Sequence, residues 1–318
     1  MEEYKVNWLI TSRCGLSCSY CFSPKDDSNH EAIPASLDAI DGSSASRVTI
    51  SGGEPMLVDG VDGIVKALKE SGKEVSLHTN GYLLDEAVAR RLQPYVDEVH
   101  IPIDSANRKI NDSMRGLGSM EAFEKASGVL NRAGIKTGIH TVVAPQNIGK
   151  LLELRDYVSQ GEFFNWKLYQ EVETGIDGGG AFGDSRDGDV DHFMGEFLEA
   201  EERFGRDDPR IKFVLNTDRM PYTFLDSNGD VTYRQWFSEG GRVFGNVMNR
   251  GLDEIVEEIG AVGGFDSEEF FDAQWNLPLW ARAFNGEFDM DDLKNVEDFE
   301  KFSRLMELYE RHSENLTS

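Results

Sequence analysis

The sequence predicts an α/β protein built on a parallel sheet, and three observations predict it. Short apolar runs alternate with amphipathic stretches through the first half of the chain. The spacing of that alternation suits strand–helix–strand crossovers, which are right-handed and build either an open sheet or a barrel. Polar, chemistry-bearing residues follow several of the apolar runs, where the carboxyl ends of parallel strands gather.

Residues 5–11 (KVNWLIT) read as a first strand running straight into a cysteine-rich loop. Residues 47–51 (RVTIS), 74–79 (EVSLHT), 99–103 (VHIPI) and 136–143 (KTGIHTVV) read as further strands, rich in β-branched side chains. Helical patterns lie over 60–71, 85–93, 119–133 and 147–160, the last three opening on Asp85, Ser119 and Asn147 as capping candidates. A sixth strand is expected over 166–171 (WKLYQE). Residues 174–191 are rich in Gly and Asp and read as a mobile loop, either a solvated connector or a lid on the substrate side. An amphipathic helix over 191–203, a strand over 211–215 and a hairpin over 224–233 follow, with Ser-Asn-Gly-Asp as the turn. From residue 251 the pattern is mainly helical.

A chain of 318 residues with 39% hydrophobic side chains can bury a substantial core. Its charge is less ordinary: 58 acidic against 32 basic residues give a net charge of −26. Such a surface repels nucleic acid and anionic membranes, so neither is an expected partner. It suits either general solubility or, in the reading favoured here, a salty cytoplasm in which ions screen dense carboxylates. The amino terminus is too polar and short for a secretory signal, and no apolar run approaches transmembrane length. Three reduced thiols and no export signal predict a cytoplasmic protein.

Those thiols are Cys14, Cys18 and Cys21, the only cysteines in the chain. Three thiols packed into eight residues make no disulfide framework. A structural zinc site would close with a fourth ligand, whereas a catalytic metal centre keeps one position open. The open position points to an enzyme; a non-enzymatic metal-binding protein is the alternative. Gly52-Gly53-Glu54-Pro55 ends the second expected strand some thirty residues later.

The spacing Cys-x3-Cys-x2-Cys, with Tyr20 before the last cysteine, resembles the signature of the radical SAM superfamily, and so does the GGEP turn. The resemblance implies a partial (βα)6 barrel over residues 1–215, with a hairpin and mainly helical extension over 216–318 packing on it. It implies a [4Fe–4S] cluster on the three cysteines and S-adenosylmethionine (SAM) on the fourth iron. Reductive cleavage of SAM then yields a 5′-deoxyadenosyl radical that abstracts hydrogen from a substrate. An external electron donor such as flavodoxin or ferredoxin is implied. For SAM, the resemblance nominates Gly52, Gly53 and Glu54 near the methionine ammonium, and Asn80 and Ser105 near the ribose and methionine moiety. It also nominates Arg115 for the methionine carboxylate, Phe22 for the adenine and Val142 as a wall.

The absence of further cysteines excludes auxiliary clusters and favours a small substrate. Over nearly its whole length the chain resembles the viperin family, which dehydrates a nucleoside triphosphate such as CTP to its 3′-deoxy-3′,4′-didehydro form. NWLITSRC, RVTISGGEP, the Asp104-Ser105 pair with its arginine loop, NWKLYQ and the acidic tail carry that likeness. The chain departs from the family pattern at Arg47 and Thr49, where Lys and Asn are usual, and at Gly138, where a Lys is usual. Lys167 keeps the pattern and is, with His140, the candidate catalytic residue. A triphosphate needs converging cations; Arg47, Lys167, Lys212, Arg219 and Arg234, with Thr49, are the candidate substrate contacts. Another small molecule or a peptide is the alternative substrate.

Overall fold

The computed structural model describes residues 4–21, 30–171, 195–205, 208–214, 222–234, 242–261, 307–308 and 311. The strands are β1 (Tyr4–Thr11), β2 (Ala45–Gly52), β3 (Glu74–His78), β4 (Glu98–Pro102), β5 (Thr137–Val143), β6 (Asn165–Gln170) and β7 (Ile211–Val214). They lie side by side in chain order and pair in parallel. The helices α1 (Ile33–Asp41), α2 (Val61–Glu70), α3 (Glu86–Leu92), α4 (Arg108–Arg115), α5 (Ser119–Arg132) and α6 (Leu151–Val158) connect the first six. This is the parallel α/β sheet of a partial barrel.

The sheet goes further than the six strands expected of the barrel. β7 extends it beyond β6, and β8 (Tyr222–Leu225) lies on the far side of β1, parallel to it. β9 (Asp230–Arg234) and β10 (Arg242–Asn246) follow antiparallel, making ten strands among the described residues in the order β10-β9-β8-β1-β2-β3-β4-β5-β6-β7. The expected hairpin is therefore β8–β9, and it is built into the main sheet.

Period-two alternation divides the strands into two faces. Val6, Trp8, Val48, Ile50, Val75, Leu77, Val99, Ile101, Ile139 and Leu168 are fully or almost fully buried. Their burial contributes about 1.5–3 kcal/mol per large side chain. The helices supply the opposing layer: α2 buries Val61, Ile64, Val65 and Leu68 at i, i+3, i+4 and i+7. The alternate strand residues, among them Asn7, Thr49, His78, His100, His140 and Lys167, therefore project to the other face, the barrel interior.

Local chemistry sets the helix ends. Asp85 caps α3 by accepting from Val88 N at 2.8 Å, and Asn107 caps α4 by accepting from Lys109 N at 3.0 Å. Two helices escape the periodicity reading. α1 is nine residues with Pro34 in its first turn. α4, eight residues, converts the expected arginine loop into a helix whose last residue is Arg115. Of the expected helix over 191–203, residues 195–200 are helical and lead into the π-turn Glu201–Gly205. The tail begins as expected with the helix Leu252–Ala261. The Gly/Asp loop at 174–191 and nearly all of the tail beyond 261 lie outside the described residues. Among the described residues no helix is long and apolar enough to cross a membrane.

Candidate active site at the carboxyl ends of the strands

The cysteine loop leaves β1 at Thr11 and is docked on the GGEP turn. Gly53 N donates to Thr11 O at 2.6 Å, and Glu54 N donates to Arg13 O at 2.8 Å. The contact is so close that a Cβ on Gly52 would lie 2.3 Å from Thr11 O, and one on Gly53 would lie 2.3 Å from Arg13 O. Gly52 also holds φ at +129°, a region closed to other residues. The glycine pair thus admits the backbone that leads into Cys14.

Glu54 is buried and fully engaged. Its carboxylate accepts from Met56 N at 3.0 Å, Thr79 Oγ1 at 2.7 Å and Asn80 N at 2.6 Å. Burial pushes its carboxyl above the ordinary range, and the donors from Asn80 and Thr79 oppose that rise. Its work here is to tie the end of β3 to the end of β2, which fixes Asn80 at the rim of the site.

The second organiser is Asp104, which follows β4 and has no exposed surface. Its Oδ2 accepts from Arg115 Nη1 at 3.1 Å and from the Tyr20 hydroxyl, while Oδ1 accepts from Val142 N at 2.8 Å. Arg115 Nη1 also donates to the Tyr20 hydroxyl. Arg115 carries the link onward through its carbonyl, which accepts from Cys18 Sγ at 3.4 Å. Burial alone would lower the Arg115 pKa, but the Asp104 carboxylate beside it outweighs that and holds Arg115 charged.

The three thiols are free and partly exposed at the edge of a cavity of about 240 Å³. Leu16 N donates to Cys14 Sγ at 3.4 Å, and Asn80 Nδ2 lies 4.0 Å from the same sulfur. Burial pushes the Cys14 and Cys18 thiols up, and the Glu54 charge adds to it at Cys14 and the Asp104 charge at Cys18. Bound iron reverses that cost, since a coordinating thiol is deprotonated outright. Three unpaired thiols on one loop, with N–H donors already aimed at sulfur, fit the three ligands of a [4Fe–4S] cluster with one iron left open.

The cavity brings together many of the residues nominated by sequence. Cys14, Cys18, Cys21, Gly52, Gly53, Asn80, Arg115, Val142 and His140 all line it. Ser105 is not among the lining residues; it is buried, its hydroxyl accepting from Asn107 N at 3.1 Å. Arg47 lies at the opposite end of its strand, ion-paired to Glu74 Oε1 at 2.8 Å and to Glu98. Lys167 makes no ion pair among the described residues. Burial, then the Arg47 charge, lowers its pKa below the ordinary value. Phe22 and Arg219 lie outside the described residues, as does the side chain of Arg234 on β9.

Sequence reasoning passed over Asp104 as a hub, and it passed over Glu98 and His100 altogether. Asp104 gave a signal in its position directly after a strand. His100 gave none, because a histidine within an apolar strand reads as core. A Cβ at Gly138 would lie 2.4 Å from Asn165 Oδ1 and 2.5 Å from His100 Cε1. The His100 ring occupies the space that a side chain at 138 would need.

Residues 8–158 match the radical SAM superfamily. The chain is 22% identical to an S-adenosylmethionine-dependent nucleotide dehydratase of Flammeovirga pacifica, over 84% of this chain and 93% of the relative. It is 30% identical to a probable GTP 3′,8-cyclase of Methanocaldococcus jannaschii, over 45% of this chain and 47% of the relative. The chain thus spans nearly all of the dehydratase but about half of the cyclase. The fold matches that of Streptococcus suis SuiB bound to S-adenosylmethionine, with a TM-score of 0.61 at 16% identity, covering 83% of this chain and 68% of SuiB. Residues 8–158 are a radical SAM domain, and its cofactors are a [4Fe–4S] cluster and S-adenosylmethionine.

Proposed function

We propose that this radical SAM enzyme dehydrates a nucleoside triphosphate by abstracting hydrogen from its ribose. The observation that carries the reading is the likeness to the Flammeovirga nucleotide dehydratase, which runs over nearly the full length of both chains. A bound cluster and SAM would together supply one-electron, hydrogen-abstracting chemistry. Cys14, Cys18 and Cys21 hold the cluster. Arg115 has donors beyond the Nη1 used by Asp104, and these hold the methionine carboxylate. Val142, fixed through its N–H by Asp104, walls the pocket. Leu9 and Phe224 line the cavity with apolar surface that limits water around a reactive radical.

On this reading the substrate enters the barrel interior below SAM. Lys167, on β6 beside His140, supplies positive charge to the triphosphate. The test is to incubate anaerobically reconstituted, reduced enzyme with SAM and each nucleoside triphosphate in turn. At least one nucleotide is expected to stimulate 5′-deoxyadenosine formation and to lose water. Stimulation by none of them removes the nucleotide from the reading and leaves the radical SAM activity.

A further inference from the structure

The barrel interior holds a feature that SAM chemistry does not use. His78 on β3, His100 on β4 and His140 on β5 converge there, with ring centroids 4.7, 4.6 and 4.6 Å apart. One ring nitrogen from each lies within 4.8 Å of the others, and all three residues line the cavity. Neighbouring parallel strands bring them together: His78 pairs with His100, and His140 lies beside Pro102, two residues further along β4.

Three imidazoles in contact, His100 buried and His78 and His140 half-buried, have a plain structural explanation only if their nitrogens find partners. Two do not. His100 Nδ1 and His140 Nε2 are buried without any hydrogen bond among the described residues. An orphaned buried nitrogen costs about 1–3 kcal/mol, and two in one cluster ask for an occupant. The far side of His100 is meanwhile held: Nε2 bonds Glu98 Oε1 at 2.9 Å. A carboxylate on one ring nitrogen fixes the tautomer and leaves the other nitrogen with a free lone pair, as in carboxylate–histidine–metal arrangements. Gly138 completes the fit by leaving room for that ring.

We propose that His78, His100 and His140 form a second metal site, separate from the cysteine loop, which binds one Zn²⁺ through three imidazole nitrogens. Imidazole suits zinc, and three nitrogens leave a fourth tetrahedral position. That position opens to the cavity and accepts an oxygen of the substrate. A Zn–N bond of about 2.0–2.1 Å sets nitrogens about 3.4 Å apart, so the rings close by roughly 1 Å on binding. Burial keeps the three rings largely unprotonated, the form that ligates. Arg47 adds little repulsion because Glu74 and Glu98 neutralise it. Lys167 acts beside the ion on the same anionic group of the substrate.

The test loads the reconstituted full-length chain with Zn²⁺, dialyses it and counts zinc against iron. One zinc per chain beyond the cluster iron is expected. X-ray absorption should show nitrogen at about 2.0–2.1 Å and no sulfur at about 2.3 Å. Glu98→Gln should weaken retention about 10–100-fold, and His140→Gln should abolish it. Gly138→Ala, whose Cβ would meet His100 Nδ1 at 2.6 Å, should weaken retention by displacing the ring. Zinc lost from the wild-type chain, or retained on sulfur, overturns the proposal. Retention unchanged in both His140→Gln and Glu98→Gln overturns it too. Should the variants fail to fold, the wild-type spectrum decides alone. None of these readouts involves substrate, so a chain that rejects every nucleotide yet binds zinc through nitrogen keeps this site and loses only that substrate.

Discussion

Asp104 uses every polar atom it has. Beyond Arg115, Tyr20 and Val142, its N–H donates to Asn111 Oδ1 at 2.9 Å and its carbonyl accepts from Asn147 Nδ2 at 2.8 Å. Removing one partner of a buried ion pair leaves an uncompensated charge, so Asp104→Ala should cost about 3–5 kcal/mol in chemical denaturation. The same variant should weaken SAM binding, measured by calorimetry, since Arg115 and Val142 both lose their anchor. Gly53→Ala should act differently, forcing the cysteine loop away from β2. The expected result is reduced iron content after reconstitution with a near-normal far-ultraviolet spectrum. At this scale the cysteines and the glycine pair were legible, because each is a short pattern within one loop. Asp104 as a hub and His100, which joins His78 to His140, were not. Their partners come from several separate segments, which only strand register brings together.

Among the elements, the helix Leu252–Ala261 is pinned by one carboxylate. Asp253 accepts from the Tyr4 hydroxyl at 2.7 Å, from Ser44 N at 2.9 Å and from Ser44 Oγ at 3.0 Å, joining the helix to the start of β1 and to the α1–β2 loop. Partial burial alone would raise its pKa, but the Ser44 and Tyr4 donors outweigh it and hold the carboxyl below its ordinary value of 3.8. A depressed carboxyl stabilises the fold above its unfolded value and loses that contribution as pH falls through the folded one. Wild-type stability should therefore decline below about pH 4 more steeply than that of Asp253→Asn. At neutral pH, Asp253→Ala should cost about 1–3 kcal/mol. The parallel strands and α2, α3 and α5 could be read from periodicity, since they bury regular apolar faces. α4 could not, because it is short and polar and its helix is set by the Asn107 cap.

For the whole molecule, the alternation of apolar and polar strand residues announced a two-faced parallel sheet. It did not announce a sheet of ten strands, since pairing of β8 with β1 joins residues more than two hundred apart. A net charge of −26 should make the fold salt-dependent. Raising KCl from about 0.1 M to about 1 M shortens the screening length from roughly 10 Å to 3 Å, and Tm should rise. A flat Tm would leave solubility as the sufficient explanation of the acidic surface.

The position of β1 has one more consequence. It is an interior strand, bonded to β2 on one side and to β8 on the other, and it ends in the loop that carries Cys14. Its Val6–Trp8 segment is held by Thr223–Leu225 from late in the chain. A nascent chain therefore makes the cysteine loop long before it makes the strand that flanks the loop's root. Cluster insertion during synthesis would meet a β1 bonded on one side only, and insertion after synthesis a β1 bonded on both.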